Sequence, residues 1–335
     1  MSILSKPFFH NEAAAFEYLE GLIWGDKPVC PKCGNTEKKI YALEGVRSKA
    51  SKKNPNGVER HGLKKCGACR KQFTVRVGTV FESSHVPLHK WLQAAYLMMS
   101  SKKGISSKQL ERTLEVTYKT AWFMSHRLRE AMASNAMPPM GGEGSIVEAD
   151  ETYFGNKLSL KARAKLPRII TRDENGHILS SKPNPAVYHN KHIIVSLVER
   201  GGSVRSFKVD SATVSNVAKI VTENVDRQTH LMTDESKLYT RVGAQYANHE
   251  FVTHSHKEYA RGNVTTNTIE GYFSIFKRGM KGVYQHCSEK HLHRYLAEYD
   301  FRYNNRERLG VNDIERTANA LQGIVGKRLT YHGPN

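Results

Sequence analysis

A chain of 335 residues, 39% of them apolar, is long enough for two or three domains with substantial cores. Its 51 Lys and Arg against 32 Asp and Glu give a formal charge of +19, which points to a polyanion as partner, nucleic acid before an anionic membrane surface. No run of about 18 apolar residues exists to span a bilayer, and the first ten residues turn polar too soon for a secretory signal, so a cytoplasmic, nucleoid-associated protein with no membrane partner is expected.

The first predicted element is a short amphipathic helix over 11–20, with Asn11 as N-cap. A ribbon follows over roughly 26–82. Its four cysteines form two Cys-x-x-Cys knuckles, Cys30 with Cys33 and Cys66 with Cys69. In a reducing compartment such paired knuckles read as a tetrahedral zinc site. Four thiolates leave no open coordination position, so the zinc is expected to be structural; the alternatives are incidental pairs or a redox motif. Gly34 and Gly67 permit tight turns at the knuckles, and strand-like sequence flanks them at 39–43 and 72–77. The basic, turn-rich segment 47–57 reads as a surface loop. Cys287 stands apart and reads as a small packed hydrophobe.

Between 86 and 135 the period becomes helical. Apolar residues at 88, 91, 92, 95, 96 and 99 make one continuous face. A second helix over 104–114, capped by Ser106 or Ser107, leads through a short turn at Glu115 and Val116 into a third, capped by Thr117. Two helices joined by a tight turn have the form of a helix-turn-helix, from which Tyr118, Lys119, Arg127 and Arg129 would reach phosphates or base edges. The alternative is a helical packing module. Pro138, Pro139, Gly141 and Gly142 mark a linker.

Beyond the linker the pattern is mixed: strands over 145–153, 191–199 and 203–209, a helix over 212–225, strands over 229–233 and 249–253, and a helical stretch from about 264. That order is α/β with a central mixed sheet. The insertion 157–188 carries Lys157, Lys161, Arg163, Lys165, Arg168 and Arg172, either a solvated hairpin or a nucleic-acid contact. The segment after Arg308 reads as a tail with a basic, disordered end.

Three acids stand where strands or helices can aim them at one point: Asp150 in the β-prone run 145–150, Asp234 at the end of a strand, and Glu270 early in a helix. Lys277 follows Glu270 by seven positions, about two helical turns, and so shares its face. Converging carboxylates repel unless divalent cations neutralise them, and hard oxygen ligands suit Mg²⁺ or Mn²⁺. Glu148 lies on the same strand face as Asp150, so it could assist or replace a ligand, whereas Glu151 points away. The plain alternatives are a helix N-cap for Asp234 and a surface residue for Glu270.

An ordered set of motifs then resembles the IS1595 (ISXO2-like) insertion-sequence transposases: both cysteine knuckles, Gly78-Thr-Val-Phe81, Val147-Glu-Ala-Asp-Glu-Thr-Tyr-Phe-Gly155, Thr233-Asp234, Asn267-Thr-Ile-Glu-Gly271, Phe276-Lys-Arg-Gly279, His291-Leu292 and Phe301-Arg-Tyr-Asn304. The resemblance spans roughly 15–306. It implies a ribonuclease-H-like, DDE-type catalytic domain preceded by a zinc ribbon and a helix-turn-helix-like region. The expected limits are 1–85 for the N-terminal helix and ribbon, 86–140 for the helical region, 141–308 for the catalytic domain and 309–335 for the tail. Asp150 and Asp234 match the two family aspartates and Lys277 the basic residue beyond the third position. That third position takes an acid or an amide in the family, and Asn267 and Glu270 share a helix face, so both stand as candidates. Lys277 and Arg278 would hold phosphate beside the reacting end. The function implied is metal-dependent cleavage and transfer of double-stranded DNA at terminal inverted repeats, by a homo-oligomer. The rivals are a non-catalytic DNA-binding regulator and a metal-dependent nuclease.

Overall fold

A computed structural model describes residues 2–52, 54–133, 137–155, 165, 168–183, 191–256, 258 and 260–330. The chain divides into two compact units. One comprises Met1–Asn135, Arg278–His286 and Ala297–Asn335; the other comprises Ala136–Lys277 and Cys287–Leu296. No helix among the described residues is long and apolar enough to cross a membrane.

In the first unit, α1 (Glu12–Trp24) starts where expected, the Asn11 side chain accepting from the Ala14 N–H at 3.0 Å. The ribbon is a three-stranded antiparallel sheet, β1 (Ile40–Ala42), β2 (Lys64–Cys66) and β3 (Gln72–Phe73), whose register sets Ile40 opposite Cys66. Phe73 packs edge-on against Trp24 of α1 with ring centroids 5.9 Å apart. Helices α2 (Leu88–Ser100), α3 (Ser107–Leu114) and α4 (Tyr118–Met132) follow. Ser106 caps α3 and Thr117 caps α4, and between the helices Glu115 takes the left-handed conformation that turns the chain sharply. Trp91, Leu92, Met98, Leu110, Leu114 and Leu128 form the core of this unit.

The segment expected as a tail is instead a core element. A helix over Asp313–Gln322 starts in a capping box between Asn312 and Glu315, and Ala320, Leu321 and Ile324 are buried in the same core. The helical register of those apolar residues overrides the basic composition around them. The ribbon, the helical region and most of the segment 309–335 are therefore parts of one unit, rather than the three pieces expected from the sequence.

The second unit is built on a five-stranded sheet: β4 (Ile146–Phe154), β7 (His192–Glu199), β8 (Val204–Val209), β9 (His230–Asp234) and β10 (Asn248–Val252), in spatial order β10-β9-β4-β7-β8. β4, β7 and β8 pair antiparallel, whereas β9 and β10 run parallel to β4. Three antiparallel strands flanked by two parallel ones, in chain order 3-2-1-4-5, is the ribonuclease-H-like arrangement. Helices α5 (Val214–Asn224) and α6 (Lys237–Gly243) cover one face, meeting Val147, Ala149, Val195 and Leu197 through Val217, Val221, Tyr239 and Val242.

Between β4 and β7, β5 (Arg168–Arg172) and β6 (Ile178–Pro183) form a hairpin that exposes Arg168 and Arg172 together with Ile169, Ile170, Ile178 and Leu179. Lys157, Lys161 and Arg163 lie outside the described residues. After β10, the short strands β11 (Ala260–Arg261) and β12 (Val264–Thr265) pair, and α7 (Asn267–Gly279) begins.

Candidate active site

Strand register brings the first two acids together. β4 and β9 run parallel with Ile146, Val147 and Glu148 opposite His230, Leu231 and Met232. Continuing that register by two residues sets Asp150 level with Asp234, on the same face of strands about 4.8 Å apart. Val147 and Ala149 alternate into the apolar core beneath α5 and α6, so Glu148 and Asp150 face the other side. Asp234 closes β9, and its Oδ1 accepts from the Ser236 N–H at 3.0 Å. Ser236 is the N-cap of α6, so the N-cap alternative for Asp234 does not hold.

Burial pushes the Asp150 carboxyl up to about 8, helped by the negative charges of Asp234, Glu151 and Glu270. Burial raises Asp234 as well, against a lowering by the Ser236 N–H. Among the described residues, these acids do not form a cluster as tight as that of the cysteines, whose ligand atoms lie within 4.8 Å of one another. The donors that Asp150, Asp234 and Glu270 offer are all carboxylate oxygen, the type Mg²⁺ or Mn²⁺ prefers.

Glu270 stands in the first turn of α7. Its Oε1 accepts from the Thr266 hydroxyl at 3.1 Å and lies 3.7 Å from His254 Nε2. Asn267, one turn earlier, is exposed, and its N–H donates to Thr265 Oγ1 at 3.1 Å. Glu270 is exposed as well, and its negative charge makes a small contribution to raising the Asp150 carboxyl. Lys277 is half-buried on the same helix, its ammonium 5.8 Å from the centre of the Phe273 ring, and Arg278 is exposed.

Two expectations need correction. Glu148 is neither an auxiliary nor a replacement ligand. It is fully buried, with Oε1 at 2.7 Å from Arg200 Nε and Oε2 accepting from the Ile269 N–H at 2.9 Å, so both oxygens are committed. Arg127 and Arg129 do not reach outward for DNA. Arg127 is buried and donates to the carbonyls of Val80 at 2.8 Å and Glu82 at 3.0 Å, while Arg129 pairs with Glu298. They project about 200° apart around α4, whose second half is buried on nearly every side rather than along one stripe. Lys119 and Tyr118 remain exposed at the start of α4, with Lys108 stacked over the Tyr118 ring at 4.9 Å.

Sequence reasoning missed Arg200, Thr266 and His254. It placed Glu151 correctly on the opposite face, where Glu151 accepts from the buried Tyr239 hydroxyl at 2.9 Å. Only the position of Thr266 just before a helix, with Glu270 four residues on, carried a local signal.

In the ribbon, the Cys30–Cys69 and Cys33–Cys66 sulfurs are each 3.8 Å apart. Four sulfurs held about 2.3 Å from a central Zn²⁺ at tetrahedral angles are separated by about 3.8 Å, so the cluster fits the ion. Backbone N–H groups of Cys69 and Ala68 lower the Cys66 thiol to about 7. Cys33 is exposed and, despite a backbone N–H from Asn35, is pushed up to about 12 by partial desolvation beside its three sulfur neighbours. A full set of thiolates thus calls for a cation. Gly34 takes φ +69°, while Gly67 serves by close approach, since a Cβ there would lie 2.5 Å from the Lys39 carbonyl oxygen.

Residues 141–304 match the ISXO2-like transposase domain, and residues 10–72 match the transposase zinc-ribbon domain of the same family. The chain belongs to the IS1595 transposases. It is 26% identical over 296 residues to an uncharacterised protein in transposable element ISH50 of Halobacterium salinarum, covering 88% of this chain and 91% of that one. Among solved structures, the Mos1 strand transfer complex covers 65% of this chain and 76% of its own at 12% identity and a TM-score of 0.19. The Mos1 mariner paired end complex with Mn gives a TM-score of 0.20 at the same identity. Overlap this shallow assigns no residue of this IS1595 chain a role.

Proposed function

We propose that this transposase cleaves double-stranded DNA at the ends of its own element and joins the freed 3′ ends to target DNA, using Asp150, Asp234 and Glu270 as ligands for two Mg²⁺ or Mn²⁺ ions. What supports this reading is the parallel β4–β9 pairing, whose register if continued by two residues would bring Asp150 level with Asp234, in a chain with an ISXO2-like transposase domain. Bound divalent ions supply activation of the attacking oxygen and neutralisation of the leaving one. The residues of the chain do the rest. Burial, with like charge from neighbouring acids, holds the Asp150 and Asp234 carboxyls above their ordinary range, poised to exchange protons for cations. Lys277 and Arg278, two turns along α7 from Glu270, hold the phosphate beside the reacting 3′ end. Water attacks the phosphorus at the element end and the 3′ oxygen leaves as a hydroxyl. That hydroxyl then attacks a target phosphodiester in line, displacing its 3′ oxygen, with no covalent enzyme intermediate.

The ribbon and the start of α4, with Lys119, bind the terminal inverted repeats, supported by the formal charge of +19. Two ends must meet, so the protein acts as a homo-oligomer on DNA. The test is an incubation of the zinc-loaded protein with labelled element-end DNA, a supercoiled target and Mg²⁺. Joined products are expected; nicking without joining would favour a nuclease, and binding without either would favour a regulator.

A further inference from the structure

Glu148 is a fully buried carboxylate two residues before Asp150 on the same face of β4. Its partner Arg200, just beyond β7, does more than neutralise it. Arg200 also donates to the Asn263 carbonyl at 2.8 Å and the Thr265 carbonyl at 2.9 Å, and one of its Nη atoms lies 3.0 Å from the Met232 sulfur. The second Glu148 oxygen takes the Ile269 N–H in the first turn of α7. The pair thus grips residues 263, 265 and 269, which bracket Thr266 and end one residue before Glu270.

Glu148 is fully buried and Arg200 largely so, at 23% exposed, and such a pair adds little stability by itself because desolvation of the carboxylate opposes the attraction. What an apolar pair would lack is directional bonds to the entry of α7. Those bonds tie the helix bearing Glu270 to the strand bearing Asp150. The Thr266 hydroxyl, held in the same grip, then orients the Glu270 carboxylate.

We propose that Glu148 and Arg200 are positioning residues that fix Glu270 relative to Asp150 and so set the divalent-cation geometry of the site; this rests on the function proposed above. Neither touches the reacting atoms.

The test is Mn²⁺ binding to the zinc-replete full chain, followed by the loss of the free Mn²⁺ paramagnetic signal, in a double-mutant cycle. Glu148→Gln is expected to weaken binding by roughly tenfold or more, as removal of outer-shell partners commonly does, yet to cause no further loss in a Glu270→Gln background. Arg200→Lys keeps a cation on Glu148 but cannot reach both carbonyls, and it is expected to show the same dependence on Glu270. It decides the matter where Glu148→Gln lowers the melting temperature grossly. Equal losses in both backgrounds, with Asp150→Asn still abolishing Mn²⁺ binding, would overturn the positioning role alone. Binding that survives Asp150→Asn would remove the proposed site and the positioning role with it.

Discussion

Arg129 and Glu298 form a 2.7 Å ion pair in which the side chains are 1% and 0% exposed. Glu298 also accepts from the Tyr284 hydroxyl at 2.6 Å and from Arg302 Nε at 3.2 Å. Burial alone would raise its carboxyl, but Arg129, Arg302 and Tyr284 overcome that and bring it down to about 2. Removing one partner of such a group leaves buried charge uncompensated, so Glu298→Gln is expected to destabilise the first unit by about 3–5 kcal/mol at pH 7. The sign with pH follows from the lowered value. The contribution is complete above the ordinary carboxylate range near 4.5 and is lost as pH falls through it toward 2. Urea unfolding at pH 7 and pH 3 checks this: the gap between wild type and variant should narrow at the lower pH.

The burial of Arg127 and Arg129 separates two kinds of α4 variant. Lys119→Ala should weaken binding to all DNA sequences alike and reduce the salt slope by about one unit, with the melting temperature unchanged. Arg127→Ala should lower the melting temperature first, because the carbonyls of Val80, Glu82 and Leu329 lose their donor. Salt-dependent fluorescence anisotropy beside thermal melts distinguishes them.

The legibility of this chain was uneven. Strands β4, β7, β8 and β9 stood out from β-prone apolar runs, and the Asn11, Ser106 and Thr117 caps were visible as helix starts. The ribbon was readable from cysteine spacing alone. What stayed hidden depended on partners far apart in sequence. Glu148 looked like a spare ligand because alternation tells which face a side chain takes, not that Arg200 waits there. Arg129 read as a phosphate contact because its partner, Glu298, lies far along the chain. The 313–322 helix is hard to read in sequence because its few buried apolar residues, Ala320 and Leu321 with Ile324 just beyond, find their core partners in α2 and α4, about 200 residues earlier.

Cys66→Ser removes one of four sulfurs from a cluster whose spacing fits Zn²⁺. Metal analysis is expected to show loss of the bound zinc, with the ribbon becoming sensitive to limited proteolysis and end-DNA affinity falling. Chelation of the wild type should reproduce the effect.

The choice between the two candidates for the third position is sharp. Glu270→Gln should reduce cleavage by at least about a hundredfold, as loss of a proposed ligand to a catalytic metal does, whereas Asn267→Ala, which removes no carboxylate, should change it by less than about tenfold. Single-turnover rates at saturating Mg²⁺ measure both.

The most direct measurement is cleavage of element-end DNA in Mg²⁺ by Asp150→Asn, set beside its affinity for the same DNA. Cleavage should fall to background while affinity stays within about twofold of wild type, because the substitution removes a proposed metal ligand and leaves the proposed DNA contacts of the first unit in place. Cleavage at the wild-type rate would contradict the site.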